Sequence, residues 1–379
     1  MFNKYRANDI TRIYMEKYAQ LRRLSEMVKK GETIADEDLK IDRFLNIYFE
    51  PTNRCNLNCI FCARENMKRD FYMLDFETFK KALSGLPVGS YMSLLGNGEP
   101  TLNVELYDMI KYASEQGMFV SITTNASALN AANRKKLMNS GVSRVQLSFQ
   151  SIDKAEDEHV MRGINFQKAL LNILHFIYEV RKNKKNIYIS ISRVKIDETK
   201  AHAEVTRQFW EKMPIDNYYE GEYLSLQTDS KMYQSMASEM ETTYKPCANP
   251  WLSVKINANG DVNLCVLDFS NKFVVGNIHD DSLIHIVNSP LAIEFRRASL
   301  TGDMNYLDKI GYNCRGCNTW GPKVKGNLDD TMQCQLPLII GLVINELSVD
   351  RPTDTAFLEK AIEFVESGKE DIVHELMGE

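Results

Sequence analysis

A chain of 379 residues that is 44% hydrophobic is long enough for more than one core, and its length favours two or three domains. A net charge of -5 supplies no broad cationic field, so nucleic acid is not an expected partner. The charged amino-terminal end lacks the apolar stretch of a secretory leader, and the longest apolar run, Leu336 to Ile344, is interrupted by Pro337 and Gly341 and is far shorter than the ~20 residues of a membrane helix, so a cytoplasmic protein with no membrane partner is expected.

Residues 1–42 read as a helical extension, with Ile10, Ile13, Tyr14, Tyr18, Leu21, Leu24 and Val28 at helical spacing. Over 43–228 the pattern turns to alternating strand and helix. Strands are expected at Phe44 to Glu50, Tyr91 to Leu95, Phe119 to Thr124, Arg144 to Gln150, Ile187 to Lys195 and Tyr223 to Gln227. Amphipathic stretches at Phe76 to Ser84, Leu106 to Gln116, Ala131 to Ser140, Phe166 to Val180 and Thr199 to Met213 separate them. This rhythm predicts an α/β fold of parallel strands, a partial (β/α)6 TIM-like barrel. The charged run Arg181 to Lys185 reads as a solvated helix end.

Alternation along these strands separates two faces. Asn46, Tyr48, Glu50, Ser121, Thr123, Asn125, Gln146, Ser148, Gln150, Ser190, Ser192, Ser225 and Gln227 fall on one; Leu45, Ile47, Phe49, Val120, Ile122, Val145, Leu147, Phe149, Ile189, Ile191, Leu224 and Leu226 fall on the other. Helices must cover the apolar face, which leaves the polar face pointing inward around a ligand-sized lumen. The competing reading has those polar groups satisfying one another around ordered water.

Residues 229–335 lose the rhythm and hold the five cysteines Cys247, Cys265, Cys314, Cys317 and Cys334. The segment 336–379 ends in an exposed amphipathic helix over Asp354 to Gly378. Eight cysteines in a chain of this kind fit metal binding better than a disulfide framework.

The other three cysteines, Cys55, Cys59 and Cys62, stand in Asn53-Arg54-Cys55-Asn56-Leu57-Asn58-Cys59-Ile60-Phe61-Cys62, on the loop after the first strand. Three thiolates can hold three irons of a four-iron cluster and leave one iron open. A zinc site, the alternative, usually takes four ligands in paired spacings. The second strand runs into Gly96-Asn97-Gly98-Glu99-Pro100, where glycines let backbone approach a ligand and Glu99 offers an acceptor.

The C-x3-C-x2-C run with an aromatic before its last cysteine resembles the radical S-adenosylmethionine (SAM) family. The resemblance implies a 4Fe-4S cluster on Cys55, Cys59 and Cys62 whose open iron holds the amino acid end of SAM, with one electron cleaving SAM to methionine and a 5'-deoxyadenosyl radical. Gly98, Glu99 and Pro100 match the family's Gly-Gly-Glu-Pro motif, with Asn97 in place of its first glycine. Ser148 and Arg162 match positions that hold the SAM ribose and carboxylate, and Thr123 and Asn125 are placed to line the sugar.

Cys247 and Cys265 flank Ile256-Asn257-Ala258-Asn259-Gly260-Asp261-Val262, whose Asn-Gly predicts a hairpin that brings the two thiols together. Cys314-Arg315-Gly316-Cys317 completes four soft ligands, for iron or for a structural zinc. The arrangement is similar to the SPASM and Twitch auxiliary-cluster domains, and five cysteines rather than seven imply one auxiliary 4Fe-4S cluster and the shorter Twitch form. Cys334 is left over as a spare ligand, an inert thiol or a catalytic hydrogen donor. No pair of the six histidines has metal-ligand spacing.

The function expected from this resemblance is a radical SAM oxidoreductase or epimerase acting on a small polar substrate of sugar or aminocyclitol type, supplied with electrons by a flavodoxin or ferredoxin. Maturation of a peptide side chain by the same chemistry, and a noncatalytic SAM or iron-sulfur binding protein, are the alternatives.

Overall fold

The computed structural model describes residues 4–84, 86, 90–221, 247–312, 314, 317 and 351–378, with the backbone alone at residues 4–11, 65 and 66. The chain forms two compact units that interleave along the sequence. One comprises Met1–Pro51, Ala63–Gly96 and Leu224–Ser348; the other Thr52–Cys62, Asn97–Tyr223 and Val349–Glu379.

The first unit is built on five strands, β1 (Asn46–Phe49), β2 (Tyr91–Leu94), β7 (Ser253–Ile256), β8 (Asp261–Asn263) and β9 (Gly276–Asn277), in the order β2-β1-β7-β8-β9. β1 pairs in parallel with β2 and with β7, while β7-β8 and β8-β9 are antiparallel. Ile47 and Phe49 are fully buried and Asn46 and Tyr48 half-buried, as the alternation predicts. The expected amino-terminal helix is Lys4–Lys29, with Ile13, Tyr14, Leu21 and Leu24 buried. Arg296, on the helix Pro290–Thr301, donates to the carbonyls of Pro250, Leu39 and Val287 at 3.0, 3.2 and 2.6 Å. Those bonds let a fully buried guanidinium join three separate chain segments, as a buried cation must be well hydrogen-bonded.

The second unit holds β3 (Phe119–Thr124), β4 (Arg144–Ser148), β5 (Tyr188–Val194) and β6 (Asn217–Gly221) in the order β6-β5-β4-β3, all parallel. Its helices Leu106–Glu115, Ala131–Asn139, Phe166–Lys182 and Ala203–Glu211 fall between the strands as the periodicity requires. Ile122, Val145, Leu147, Ile189 and Ile191 are fully buried. On the polar face Gln146 Nε2 donates to Ser192 Oγ at 3.0 Å and Gln150 Oε1 accepts from Val194 N at 3.0 Å, so part of that face is satisfied by its own neighbours. The fold is α/β on parallel strands, as expected.

One expectation falls outside the described residues and two are corrected. The sixth strand is Asn217–Gly221, which pairs with Ser190–Val194; the segment expected for it, 223–227, including Ser225 and Gln227, lies outside the described residues. Arg181 is no solvated helix end. It is 6% exposed, paired with Asp216 at 2.8 Å and donating to the Pro214 carbonyl at 2.7 Å, so its charge closes the corner between the helix Phe166–Lys182 and β6. The carboxyl-terminal helix Ala356–Glu366 buries Leu358, Ala361 and Val365 against the helix Phe166–Lys182 and is exposed on one face alone. Among the described residues, no helix is long and apolar enough to cross a membrane.

Candidate iron-sulfur sites

The loop Thr52–Cys62 carries the first three cysteines, all half-buried. It is braced from three sides within its unit. Arg54 O accepts from Glu99 N at 2.8 Å, Asn125 Nδ2 donates to Asn56 Oδ1 at 3.1 Å, and the turn after the helix Lys154–Val160 accepts twice, Asn58 N to Arg162 O at 2.8 Å and Ile60 N to Val160 O at 3.0 Å. Inside the loop, Leu57 N donates to Cys55 Sγ at 3.4 Å and Cys62 N to Cys59 O at 3.1 Å.

The Gly-Glu-Pro segment fits against the start of this loop because residue 98 has no side chain. A Cβ there would lie 2.3 Å from Thr52 O and 2.4 Å from Arg54 O. Glu99 is 2% exposed, and its carboxylate accepts from Thr101 N and Oγ1, Thr124 Oγ1 and Asn125 N at 2.5 to 3.1 Å. Burial raises its pKa against those four bonds. In this arrangement the side chain braces the motif from within and caps the short turn Pro100–Leu102.

Ser148 and Thr123 are half-buried near the carboxyl ends of β4 and β3, opposite Ser192 and Gln146 respectively. Asn125 is buried and tied to the cysteine loop. The side chain of Arg162 is exposed, while its carbonyl latches the loop. Thus Gly98, Glu99, Asn125 and Arg162 are gathered around the cysteine loop by hydrogen bonds or close contacts, whereas Ser148 and Thr123 are placed by strand position alone.

The three thiols feel one another. Burial first, then Cys62 and Cys55, then the Asp157 carboxylate push the Cys59 thiol up to about 12. Three thiolates are therefore poorly tolerated together without a cation among them, which is the condition an iron cluster meets. Three soft donors on one short loop fit a site-differentiated four-iron cluster. Asp157 was not foreseen from sequence. It is 1% exposed, accepts from Gln150 N and Ser151 N at 3.0 and 3.2 Å, and burial lifts it to about 7.

The second set lies wholly in the other unit. β7 and β8 form the expected hairpin, with Lys255 opposite Asn263 and Gly260 at φ +84° in its turn. Cys247, Cys265, Cys314 and Cys317 are half-buried, and Cys265 is raised well above its ordinary value by burial and then by the other three thiols. Burial and Cys317 push Cys314 up to about 12. The donor set, four mutually repelling thiols, again fits a cationic iron core. Asp268 organises the surrounding loops: its carboxylate accepts from Asn263 Nδ2, Lys272 N, Phe273 N and Tyr312 Oη at 2.9 to 3.1 Å. Three residues after Cys265 and bonded to a tyrosine two before Cys314, it ties two ligand segments together. Cys334 lies outside the described residues. Among the described residues, no three His, Cys, Asp or Glu side chains are drawn together as a single-ion site.

Residues 49–204 match the Radical SAM superfamily, and residues 247–318 match SPASM, an iron-sulfur cluster-binding domain. A PqqA peptide cyclase of Bradyrhizobium diazoefficiens is 28% identical over 138 residues, 36% of this chain and 36% of that protein. The chain therefore aligns with little more than a third of that relative's length. A GTP 3',8-cyclase of Limosilactobacillus fermentum is 26% identical over 290 residues, 72% of this chain and 79% of that protein. The structure of Streptococcus suis SuiB bound to precursor peptide SuiA superposes with a TM-score of 0.52 at 18% identity, covering 73% of this chain and 70% of SuiB, a likeness of fold.

Proposed function

From a chain that belongs to the radical SAM superfamily and carries a SPASM iron-sulfur domain, we propose an enzyme that uses SAM-derived radical chemistry to modify a side chain of a peptide. The cofactors are SAM and iron-sulfur clusters of the 4Fe-4S type. The observation that carries the reading is the pairing of the two cysteine sets in one chain whose relatives include a cyclase named for its peptide, PqqA. This moves the substrate expectation from a small polyhydroxylated molecule toward a peptide.

Bound at the loop Thr52–Cys62, SAM and its cluster supply a one-electron opening of the sulfonium and abstraction of one hydrogen atom from a substrate carbon, and the second cluster supplies a place for the electron that product formation releases. The chain's own residues do the rest. Gly98 admits the Gly-Glu-Pro backbone to the loop, Glu99 locks that backbone, and Asn125 with the Arg162 carbonyl fixes the loop's far side. Ser148, Thr123 and the Arg162 guanidinium are the groups we assign to the SAM ribose and carboxylate, the last because its fork pairs a carboxylate through two bonds. The electron comes from an external one-electron donor of the flavodoxin or ferredoxin kind.

A second reading, a small polar substrate, draws on the broad match to a GTP 3',8-cyclase and on the polar strand face. Anaerobic reconstitution with SAM and dithionite should give 5'-deoxyadenosine in the native chain and none above background in Cys55→Ala. Cell-extract fractions that stimulate this release should lose that power after protease treatment. Stimulation that survives protease would transfer the assignment to the small-substrate reading, and no deoxyadenosine at all would sink both.

A further inference from the structure

The four-cysteine unit contains a buried cation that ligand binding alone does not require. Lys255 stands in β7, 3% exposed, opposite Asn263 and two residues short of the hairpin turn. Its Nζ donates to the Asp268 carbonyl oxygen at 2.9 Å and sits 4.8 Å from the centroid of the Phe269 ring. Burial lowers its pKa; the Glu50 carboxylate, then Asp268 and the Cys265 thiol, favour its charge, and the Arg69 guanidinium disfavours it.

Glu50 is the charge that most favours this ammonium, and it is not left to the lysine alone. Glu50 is 0% exposed and already held by Arg69 through two bonds of 2.9 and 2.8 Å, with a third from Ala258 N at 3.2 Å. The Asp268 carboxylate favours it too, although its hydrogen bonds come from Tyr312, Asn263 and two backbone N–H groups. Burying an ammonium costs several kcal/mol unless a charge nearby repays it. A thiolate-bound cluster is such a charge, and it becomes more negative by one unit each time it takes an electron.

We propose that Lys255 sets the reduction potential of the cluster on Cys247, Cys265, Cys314 and Cys317, its buried ammonium favouring the reduced state. The field acts through a low-dielectric interior, where a charge a few ångströms away is weakly screened. Lys255 is a positioning residue in this scheme and touches neither SAM nor substrate. Its effect rests on the cluster assignment of the four thiols and is independent of which substrate the enzyme takes.

The test uses a parent chain with Cys55, Cys59 and Cys62 all changed to Ala, so that one cluster alone is titrated. After anaerobic reconstitution, iron and sulfide are assayed and the midpoint is read by electron paramagnetic resonance during a redox titration. In Lys255→Met the one-electron reduction equilibrium should fall at least tenfold, which is about 59 mV. Lys255→Gln should fall in the same direction, carrying the test should the methionine variant not fold, and Lys255→Arg should stay near the parent. A neutral variant with full iron and an unchanged midpoint overturns the proposal. A parent that binds no iron and sulfide overturns the cluster assignment itself, which is a separate and recognisable failure.

Discussion

Gly98→Ala is the sharpest test of how the SAM-side loop is held. A methyl at this position would stand 2.3 Å from Thr52 O and 2.4 Å from Arg54 O, both main-chain atoms that cannot rotate away. Contacts under 3.0 Å do not persist, so the loop start and the Gly-Glu-Pro segment must move apart by about 0.7 Å or more. That motion breaks the 2.8 Å bond from Glu99 N to Arg54 O, and Arg54 adjoins Cys55, which we assign to the cluster. Overpacking of this kind costs about 1–3 kcal/mol of stability, while a shift approaching an ångström at a reacting centre costs about a hundredfold in rate. Activity should therefore fall far more than stability, read as deoxyadenosine released per iron-loaded chain beside a thermal melt. Gly163→Ala is the matched comparison: Gly163 has φ +93° but its nearest neighbour is 3.5 Å from the added carbon, so it should lose about 1–2 kcal/mol from backbone strain with a smaller kinetic effect. Gly98→Ala with native deoxyadenosine yield would refute the close-approach argument.

Asp157→Asn tests the buried carboxyl near Cys59. Because the folded chain holds a proton up to about pH 7 that the unfolded chain releases near the ordinary aspartate value of 3.8, native stability falls as pH rises between those values; the amide should abolish that slope and gain of the order of a few kcal/mol above pH 7, measured by urea unfolding across pH. Arg69→Met should destabilise by about 3–5 kcal/mol in chemical denaturation, since it strands the fully buried Glu50 carboxylate. Burial first resists the Glu50 charge and Arg69 restores it, so the net pKa is lowered and the contribution persists above the ordinary carboxylate range, fading as the solution is acidified through the folded value. Tyr312→Phe removes one donor from Asp268 and should cost about 1 kcal/mol, with iron content of the second site retained; loss of that iron would mean the tyrosine does more than brace the loop.

Much of the strand-helix order was legible because apolar alternation survives where both faces are packed. Phe119–Thr124 has the bounds its pattern suggests, and the Asn-Gly hairpin falls at Gly260. β6 escaped because Asn217-Tyr218-Tyr219-Glu220-Gly221 has no apolar period; its pairing comes from register with β5 and from Arg193 meeting Glu220 at 3.2 Å. Charge alone points Arg181 toward solvent, yet its partner is Asp216, thirty-five residues on. Long-range pairing of this kind leaves no local signature. Lys255 left a faint one, a lone cation between Val254 and Ile256 in a strand otherwise fit for burial.

The two cysteine sets are supported in different ways, and the difference follows from what each must do. The loop Thr52–Cys62 is held largely by backbone groups: Arg54 O, Asn58 N and Ile60 N each meet another main-chain atom, and Asn56 meets Asn125 through side chains. Backbone bonds fix the path of the loop, which suits a cluster with one position open to an exchanging ligand. The second set is organised by buried charged side chains, Asp268 binding the loops and Lys255 donating to the Asp268 carbonyl, three residues past Cys265. On the proposed four-thiol assignment no position is left to exchange, so the cluster's adjustable property is potential, and buried charge is one means a protein has to adjust it. If that division holds, substitutions at Asn125 should alter SAM turnover while sparing the second midpoint, and substitutions at Lys255 should move that midpoint while sparing SAM binding. A variant at either residue that moved both readouts equally would show that the supports are not separate.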